Sequence, residues 1–599
     1  MFYKGIIFDL DNTIYSYDIC HNNALDAVIL FLQNNYGINK TYCEIKDLYE
    51  NISKKLKFEL KSTASSHNKS IYFKQLSELL KLHYSNTQIL NDLYWKVFFD
   101  HMVCFEGVQD FIAWNKNLGV KIGILTDYET EYQIQKLEKL GIIDYVDVLV
   151  TSEEVGIEKP SCQMFQTILK KMKLSPDDVI MIGDDFNKDI NGALNMNVLP
   201  YWFTTTNSIV TSNSDTKYIE FNSFRVLYNE FNDIQNGLNK LKQISKYCGE
   251  RFDLVQAGGG NTSVKHQNLM FIKASGYNLA NIDENNGYVT IDNTILLEDI
   301  KNNNVKEVTE YNFIGNKRGS IETFMHSILK KYTLHLHPIQ INRILVTKEA
   351  KTIINEIYPD SLVIDYFSPG IKVCNEIKEK YNDEKIIFLI NHGIIITCDN
   401  YDEIYNLLEE VLEKFESYQH LDFSKYKHTN KISAVVNDVF TPLKNSNGTP
   451  FDSSSKLPVT NSNDAPRERP ILNLRGYKTN NVSYLCEDTT IKYYLNNKLE
   501  LFKESITFPD FLIYCGLETL FDLSYMEEYK NKYNEPPKII IEDGNIYING
   551  ISLSKCKEIE EVLKSNLIIL DTDLNKNFLS LEEICFLNNW DAEKYRKML

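Results

Sequence analysis

Four short segments in the first 200 residues carry side chains suited to chemistry on a phosphate group. Asp9 and Asp11 lie two residues apart in a strand-like segment, so both carboxylates project to the same face. Carboxylates this close repel one another unless a cation lies between them or one is protonated, so they suit Mg²⁺ binding or acid–base catalysis. The other three segments are Thr126-Asp127, Glu158-Lys159-Pro160 and Gly183-Asp184-Asp185-Phe186-Asn187-Lys188-Asp189. Together, a hydroxyl donor, a lysine and acidic strand ends predict a metal-assisted phosphate site.

Three histidines in the second half of the chain have the spacing of metal ligands. His335 and His337 alternate within a strand-like segment that ends at Pro338, so both imidazoles project to one face. His392 follows another strand-like segment. Three histidines with an open fourth position are a common catalytic zinc arrangement, whereas structural zinc prefers a closed, cysteine-rich shell. A single histidine is more often a hydrogen-bonded core residue, but the three together favour a metal site.

Glycine-rich segments with adjacent hydroxyl and amide groups precede these histidines. Such backbone can hold a phosphate through N–H and O–H donors, although one glycine-rich run is more often only a turn. The segments are Gly258-Gly259-Gly260-Asn261-Thr262-Ser263, Lys273-Ala274-Ser275-Gly276 and Gly319-Ser320-Ile321-Glu322. Glu322 is predicted to begin a helix.

Alternating strand and helix patterns over residues 3–203 predict a doubly wound parallel α/β fold. Each predicted strand ends in a polar cluster, at the sheet edge where such folds bind ligands. A long amphipathic stretch, about 18–101, is too large for a simple crossover and predicts an inserted helical cap. The predicted strands are 4–11, 120–127, 146–151 and 178–184.

The rest of the chain predicts a second α/β domain over 233–440, after a turn-rich linker over 206–232. A segment rich in Ser, Asn and Pro, 441–480, is predicted to be a flexible excursion, followed by an ordered extension over 481–599. The predicted strands of the second domain are 270–274, 385–390 and 394–397. In the extension, 508–514, 538–542 and 551–562 are predicted to be ordered and 591–599 to be helical.

The four N-terminal segments, in this order, resemble the haloacid dehalogenase (HAD) superfamily, specifically phosphatases with a helical cap after the first motif. The resemblance covers about residues 1–205 and implies a Rossmann-like fold. It implies that Asp9 is the nucleophile that forms an aspartyl-phosphate and that Asp11 is the general acid and base. Thr126 and Lys159 would hold the transferring phosphoryl group.

The same resemblance implies a Mg²⁺ site. Its ligands would be Asp9, the backbone carbonyl of Asp11 and Asp184, while Asp189 or Asp185 orders the metal's waters.

Two positions bear on the HAD resemblance. Thr13 occupies a position at which sugar-phosphate mutases of the family tend to carry Gly, which favours hydrolysis. Asp127 departs from the pattern, since a neutral Asn is commoner there. An extra carboxylate would weaken phosphate binding unless it points away.

The later segments, in order, resemble the class II (zinc-dependent) aldolase and adducin family, in the branch that includes rhamnulose-phosphate aldolase domains. The core resemblance spans about 240–420 and implies an α/β/α domain, and 508–515 and 588–595 resemble that branch's C-terminal extension. The resemblance implies zinc ligation by His335, His337 and His392. Glu322 would be the acid/base and would occupy the metal's fourth position until substrate displaces it. The implied phosphate-binding residues are Asn261, Thr262, Ser263, Ser275, Gly276 and Ser320.

Together the resemblances predict a bifunctional sugar-phosphate enzyme, a Mg²⁺ phosphatase followed by a Zn²⁺ aldolase that forms or cleaves a C–C bond through an enediolate. The same enediolate chemistry also serves sugar-phosphate dehydratases and epimerases of this fold. A dehydratase or an epimerase therefore stays open as an alternative for the second half. A third hypothesis makes the second half a non-catalytic oligomerising module. Adducin-like members have lost metal ligands, whereas all four residues are present here.

Length, charge and cysteine content indicate how many domains the chain has, which partners it disfavours and in which compartment it is expected. The chain has 599 residues, too many for one hydrophobic core, and a net charge of −18, which disfavours nucleic acid as a partner. Eleven cysteines, no two with C-x-x-C spacing, favour a reducing cytoplasm. No segment has the length of a membrane span or the pattern of a signal peptide. The aldolase resemblance implies a homo-oligomer, usually a tetramer.

Overall fold

The computed structural model describes residues 3–204, 211–213, 218–283, 286–314, 317–427 and 482–589. The chain divides into two compact units, Met1–Asn236 and Gly237–Leu599. The predicted flexible excursion over 441–480 and the predicted helix over 591–599 lie outside the described residues. Among the helices of the described ranges, none is both long enough and apolar enough to cross a bilayer.

The first unit is built on a seven-stranded sheet of order β3-β2-β1-β4-β5-β7-β6, in which every pairing is parallel except β6 with β7. Continuous apolar strands such as Gly-Ile-Ile-Phe fit this arrangement, because helices cover both faces of a parallel sheet. The predicted Rossmann-like fold is confirmed. The strands are β1 Gly5–Phe8, β2 Lys121–Thr126, β3 Val148–Thr151, β4 Val179–Gly183, β5 Leu199–Phe203, β6 Thr211–Asn213 and β7 Tyr218–Phe221.

Helices fill the span between β1 and β2 in which the sequence predicts a cap. Three of these helices begin at residues whose side chains cap the first turn. Ser16 and Asn68 each accept a hydrogen bond from a backbone N–H of that turn, and Thr41 forms a capping box with Glu44. The cap helices are Tyr17–Tyr36, Tyr42–Glu59, Ala64–His67 (3₁₀), Lys69–Leu79 and Ser85–Asp100. The other helices of this unit are Val108–Asn117, Thr130–Lys139, Ile143–Tyr145 (3₁₀), Ser152–Val155, Cys162–Met172, Pro176–Asp178 (3₁₀), Phe186–Ile190 (π) and Asn191–Leu194.

The structure differs from the predicted linker over 206–232. Strands β6 and β7 lie within it, and the helix Phe224–Gly249 begins there and contains the division between the units. Phe221 and Phe224 are buried and pack edge to face, 5.2 Å between ring centroids, and both contact the Phe203 ring. The turn-rich composition led to the prediction of a linker. The burial of these aromatic side chains instead holds the segment against the sheet.

The second unit contains an eight-stranded sheet of order β11-β10-β9-β8-β12-β15-β14-β13, antiparallel except for β13 with β14. The predicted second α/β domain is confirmed. Its strands are β8 Asn261–His266, β9 Leu269–Lys273, β10 Tyr288–Asp292, β11 Asn312–Ile314, β12 Tyr332–Leu336, β13 Leu362–Ile364, β14 Ile386–Leu389 and β15 Gly393–Cys398. Its helices are Leu279–Asn281 (3₁₀), Asn293–Lys301, Val308–Tyr311 (3₁₀), Thr323–Ile328, Ile339–Leu345, Ala350–Ile357, Ile371–Lys380, Tyr401–Gln419 and Ser424–Lys427.

The C-terminal segment adds a four-stranded sheet of order β16-β19-β18-β17 and shares a hydrophobic core with the eight-stranded domain. Phe252, Ile339 and Phe423 of that domain pack in one cluster with Leu567 and neighbouring residues of the last long helix. Its strands are β16 Val482–Leu485, β17 Leu520–Phe521, β18 Ile539–Glu542 and β19 Asn545–Gly550. Its helices are Thr489–Asn497, Leu499–Lys503 (3₁₀), Pro509–Cys515, Leu523–Tyr525 (3₁₀), Met526–Tyr533, Leu553–Leu570 and Leu581–Asn589.

Because of this shared core, we expect Leu567→Ala to destabilise the second unit by about 2–5 kcal/mol, the usual cost of a large-to-small core substitution. Leu553 lies on the same helix but is 57% exposed, so Leu553→Ala is the matched control and should leave stability nearly unchanged. Urea unfolding followed by circular dichroism measures both variants. Equal effects of the two substitutions would contradict the shared core.

Candidate active sites

Strand order brings the N-terminal site residues to one edge of the first sheet. β1 lies between β2 and β4 and is parallel to both, so residues that follow these strands meet at their carboxyl ends. Asp9 follows β1, Thr126 ends β2 and Asp184 follows β4. The strand order runs from β1 to β2 in one direction along the sheet and from β4 to β5 in the other, and open α/β sheets bind ligands at such a reversal.

Asp9, Asp184 and Asp189 form an aspartate cluster, with one carboxylate oxygen of each lying within 4.8 Å of the others. Lys159 Nζ lies 2.5 Å from Asp9 Oδ1 and 2.7 Å from Asp189 Oδ1. Burial raises the pKa of Asp9 despite Lys159, and Asp189 and Asp184 raise it further. Burial and Asp189 raise the pKa of Asp184 to about 6. Three carboxylates sharing one ammonium group need further positive charge, and their oxygens are the ligands that Mg²⁺ prefers.

Two threonine hydroxyl groups lie at the strand ends beside this cluster, and one of them, that of Thr13, contacts it. Thr13 Oγ1 lies 3.2 Å from Asp9 Oδ2 and 3.1 Å from Asp184 Oδ1. Thr126 Oγ1 accepts a 2.6 Å hydrogen bond from Gln133 Nε2 and donates to the backbone carbonyl oxygen of Asp127 at 3.4 Å. Thr13 therefore orients the cluster, and Thr126 is a hydrogen-bond donor at the same strand edge.

Asp11 is held apart from the aspartate cluster by a second lysine. Lys136 Nζ lies 2.7 and 3.0 Å from the two Asp11 carboxylate oxygens, and the Tyr15 hydroxyl also donates to them. Burial alone would raise the pKa of Asp11, but Lys136 and these hydrogen bonds lower it below its usual value. Sequence reasoning missed Lys136, although a lysine on the buried face of the amphipathic helix Thr130–Lys139 was a signal that could have found it.

Asp127 is turned towards neighbouring residues. One carboxylate oxygen accepts the backbone N–H of Lys159 at 3.0 Å, and the other lies 2.8 Å from Lys188 Nζ. The extra negative charge is therefore paired, and Asp127 holds the Lys159 segment in place. Asp185 likewise accepts the backbone N–H groups of Asn187 and Lys188, so it caps the turn before Asp189 and does not join the aspartate cluster.

A cavity of about 460 Å³ opens over these residues and is lined by the core of the unit and by the cap. The cap contributes Tyr17, His21, Lys57, Lys69 and Trp95, among others. A small phosphorylated molecule fits a space of this size beside Asp9.

In the second unit, the register of three adjacent strands brings the predicted metal ligands together. Asn261 begins β8 opposite His335 on β12, and β12 ends at Leu336 opposite Ile394 at the start of β15. His337 follows β12 and His392 precedes β15, so all these residues lie at one edge of the sheet.

Glu322, His335, His337 and His392 form a histidine cluster of buried side chains. The Nε2 atoms of His335 and His337 are 3.0 Å apart. Glu322 Oε1 lies 3.1 Å from His335 Nε2 and 3.6 Å from His392 Nε2. Burial would raise the pKa of Glu322, but His335 and His392 bring it well below its usual value, so Glu322 is a carboxylate. Burial lowers the pKa of His392, which favours the neutral imidazole that binds metals.

Hydrogen bonds at Nδ1 orient two of these imidazoles. His335 Nδ1 lies 3.2 Å from the carbonyl oxygen of Ile394, and His337 Nδ1 lies 2.5 Å from Asp510 Oδ2. Each contact places the ring proton on Nδ1 and leaves the Nε2 lone pair facing the cluster. This donor set, with its carboxylate partner, fits zinc. The sequence marks the segment 508–515, but no pattern in it indicates that Asp510 orients His337.

The backbone around His392 requires Asn at position 391 and Gly at position 393. Asn391 has φ +55°, and its side-chain amide donates to the carbonyl oxygens of Thr507 and Asn577 at 2.6 and 2.7 Å. A side chain at Gly393 would lie 2.8 Å from the His337 ring, so only Gly leaves room for that imidazole. The His392 turn is therefore fixed by the C-terminal segment.

A small cavity of about 60 Å³ adjoins the histidine cluster and is lined by glycine-rich backbone. Of the predicted phosphate-binding residues, the structure places Asn261, Ser275, Gly276 and Ser320 along it. It also places Lys273 and Arg318 there, two cations that sequence analysis did not assign.

Thr262 and Ser263 do not line this cavity. Both are buried, and their hydroxyls bond to Ser245 Oγ at 2.6 Å and His326 Nδ1 at 2.8 Å. Strand β8 turns their side chains towards these partners, which the glycine-rich motif alone did not reveal. Asn261 donates to Glu322 Oε2 at 3.0 Å, so it also orients the carboxylate.

The C-terminal segment completes this cavity. Pro509, Asp510, Ile513 and Leu587 all line it. The cavity therefore depends on residues that lie more than 110 positions beyond His392 in sequence.

Comparison with known proteins gives a family match in each half of the chain. Residues 3–197 match the haloacid dehalogenase-like hydrolase family. A ribulose-1,5-bisphosphate 5-phosphatase from Halopiger xanaduensis is 34% identical over 194 residues, which are 32% of this chain and 80% of that protein. Through its N-terminal unit, the chain belongs to the haloacid dehalogenase-like hydrolases. A glyceraldehyde 3-phosphate phosphatase from Methanocaldococcus jannaschii is 28% identical over 202 residues, 33% of this chain and 82% of that protein.

A second family follows this HAD-like hydrolase domain in the chain. Residues 240–418 match the class II aldolase and adducin N-terminal domain. The structure of such a domain from a conserved protein of Thermoplasma acidophilum is 26% identical, covers 30% of this chain and 92% of that one, and has a TM-score of 0.28. The two family matches show an HAD-like hydrolase domain fused to a class II aldolase/adducin domain.

The hydrogen bond from His337 to Asp510 generates a prediction about metal affinity. We expect Asp510→Asn to weaken zinc binding by about 10–100-fold, the usual effect of removing the carboxylate that orients a histidine ligand. Zinc competition with a chromophoric chelator on the full chain measures this. The matched control is Asp543→Asn, at an exposed position of the same C-terminal segment. Unchanged affinity in Asp510→Asn would show that this contact does not prepare His337 for metal.

Proposed function

We propose that the chain is a bifunctional sugar-phosphate enzyme, a Mg²⁺-dependent phosphatase joined to a Zn²⁺-dependent aldolase. The observation that carries the proposal is the convergence, in separate units, of an aspartate cluster with its lysine and a histidine cluster with its carboxylate. The proposal includes the cytoplasmic location and the homo-oligomer expected from the sequence. Light scattering of the purified chain tests the oligomer.

In the phosphatase reaction, an Asp9 carboxylate oxygen attacks phosphorus and the bond from phosphorus to the sugar oxygen breaks. To act as the general acid, Asp11 must first take up a proton, because Lys136 favours its carboxylate form; it gives this proton to that oxygen, then takes one from the water that hydrolyses the aspartyl-phosphate. Lys159 and Thr126 hold the phosphoryl group through an ammonium and a hydroxyl. Asp9, the Asp11 carbonyl and Asp184 would hold Mg²⁺, with Asp189 ordering its waters, and the ion would supply positive charge at the phosphoryl oxygens.

In the aldolase reaction, His335, His337 and His392 would hold zinc, which polarises a carbonyl when bound. Glu322 exchanges the proton on the carbon next to that carbonyl, and Asn261 holds its other carboxylate oxygen. In the cleavage direction Glu322 takes the hydroxyl proton from the carbon that becomes the aldehyde, the C–C bond breaks, the aldehyde leaves, and Glu322 returns that proton to the resulting enediolate. Ser275, Gly276 and Ser320 hold the substrate phosphate, with Lys273 and Arg318 nearby.

The substrate that joins the two reactions follows from the chemistry of the relatives. The Halopiger protein is named for removing the 5-phosphate of ribulose 1,5-bisphosphate. The product of that reaction is a ketose 1-phosphate, the substrate type of the rhamnulose-phosphate aldolase branch. Cleavage between C3 and C4 would give dihydroxyacetone phosphate and glycolaldehyde. We therefore propose ribulose 1,5-bisphosphate as the first substrate, with the phosphatase acting before the aldolase.

Two substitutions separate the activities. With ribulose 1,5-bisphosphate, we expect Asp9→Asn to abolish phosphate release, and Glu322→Gln to abolish dihydroxyacetone phosphate formation while phosphate release continues. Given ribulose 1-phosphate directly, the Asp9→Asn protein should still form dihydroxyacetone phosphate. Malachite green and a coupled dehydrogenase assay measure the two products. Phosphate release that persists in Asp9→Asn would refute the phosphatase assignment.

Hydrogen exchange tests the reaction type of the second site without a known aldehyde. In the Asp9→Asn protein with zinc, dihydroxyacetone phosphate in D₂O should lose its C3 proton signal, and Glu322→Gln should stop this exchange. Absence of exchange in a zinc-loaded protein would favour a dehydratase, an epimerase or another ketone donor. A protein that binds no zinc would favour the non-catalytic oligomerising module.

A further inference from the structure

The cap presents two lysines to the phosphatase cavity that the proposed reaction does not use. Lys57 and Lys69 line the same cavity as Asp9 and Lys159. Lys69 is only 6% exposed, whereas Lys57 is exposed. Among the described residues, neither ammonium group has a carboxylate partner.

The other lysines lining the cavity are already paired. Lys159 pairs with Asp9 and Asp189, Lys136 with Asp11, and Lys188 with Asp127. Asp18, a cap carboxylate on the same cavity, is exposed and forms no ion pair with Lys57 or Lys69 in the described part of the chain. The unmatched positive charge therefore belongs to the cap side of the cavity.

The surroundings of Lys69 do not fully compensate its charge. Its Nζ lies 5.0 to 5.8 Å from the ring centroids of Tyr17, Tyr72 and Tyr94, and such cation–π contacts offset only part of the cost of burying an ammonium group. Burial, with Lys57 and Lys136 nearby, lowers the pKa of Lys69 to about 7. An anion in the cavity would stabilise the charged form.

We propose that Lys57 and Lys69 bind the phosphate group of the substrate that is not hydrolysed, so that the cap selects sugar bisphosphates. This inference rests on the proposed phosphatase function and deepens it. One phosphate lies at Asp9 and Lys159, and the other reaches the cap lysines across the cavity. His67 does not share this role, because it pairs with Glu158 at 3.0 Å.

Comparison of two substrates that differ by one phosphate tests this proposal. Ribulose 5-phosphate carries the scissile phosphate of ribulose 1,5-bisphosphate and lacks the other. We expect Lys69→Met to lower kcat/KM for the bisphosphate by about 30-fold or more, the usual effect of removing one partner of a buried charge pair, and to leave kcat/KM for ribulose 5-phosphate nearly unchanged. Lys57→Met should act in the same direction, more weakly, because Lys57 is exposed.

Controls separate this effect from a general loss of charge. Lys74→Met and Lys54→Met remove exposed lysines from the same two helices and should change neither substrate. Lys69→Arg, which keeps the charge, should retain part of the preference for the bisphosphate. Equal losses on both substrates, or none on either, in both Lys69→Met and Lys57→Met would overturn the proposal.

A binding measurement keeps this inference distinct from the proposed reaction. Calorimetry on the Asp9→Asn protein should show tighter binding of the bisphosphate than of ribulose 5-phosphate, and Lys69→Met should remove the difference. If phosphate release depends on Asp9 but this difference does not depend on the cap lysines, the reaction stands and the subsite is wrong. If the difference depends on the lysines but phosphate release does not depend on Asp9, the subsite stands and the reaction is wrong.

Discussion

The hydrogen-bonded register of three adjacent strands in each sheet is the constraint on which both sites depend. In the first sheet β2, β1 and β4 are parallel, so Thr126, Asp9 and Asp184 meet although they are far apart in sequence. In the second sheet β8, β12 and β15 are antiparallel, so the start of one strand meets the end of the next. A one-residue slip in register would turn His335 away from the histidine cluster, because side chains alternate between faces.

Positive and negative charges are unequally distributed around the cavity of the first unit. Carboxylates gather around Asp9 with fewer lysines than they need, and burial together with Asp189 raises the pKa of Asp184 to about 6. The cap shows the opposite imbalance, with lysines that have no carboxylate partner in the described ranges. Opposite imbalances on two sides of one cavity suit a divalent cation at the strand ends and an anionic group at the cap.

The site of the second unit depends on segments that lie far apart in its chain. Asp510 orients His337, and the Asn391 side chain binds the carbonyl oxygens of Thr507 and Asn577. The C-terminal segment also shares a hydrophobic core with the sheet that carries the histidines. The segment is therefore part of the site's framework, and loss of its packing would disturb the orientation of the ligands.

The sequence by itself determined the two fold types and named most of the residues that the structure brings together in the two candidate sites. Asp9, Thr126, Lys159, Glu322 and the three histidines lie in short motifs, and local strand patterns place such motifs at strand ends. Hydrophobic periodicity is a local property, so a single sequence reveals it.

Tertiary structure decided which partners these residues have. Lys136 on Asp11, Asp510 on His337 and the cap lysines over Asp9 join distant segments, and although a local pattern can mark a residue such as Lys136, it does not reveal the partner. Thr262 and Ser263 belong to a motif that predicts phosphate binding, yet their hydroxyls bond to buried neighbours. The strands within 206–232 were also missed from the sequence. Aromatic packing against Phe203 of β5 holds this segment in place despite its turn-rich composition. Long-range packing sets burial and charge pairing, and both appear only when the chain is folded.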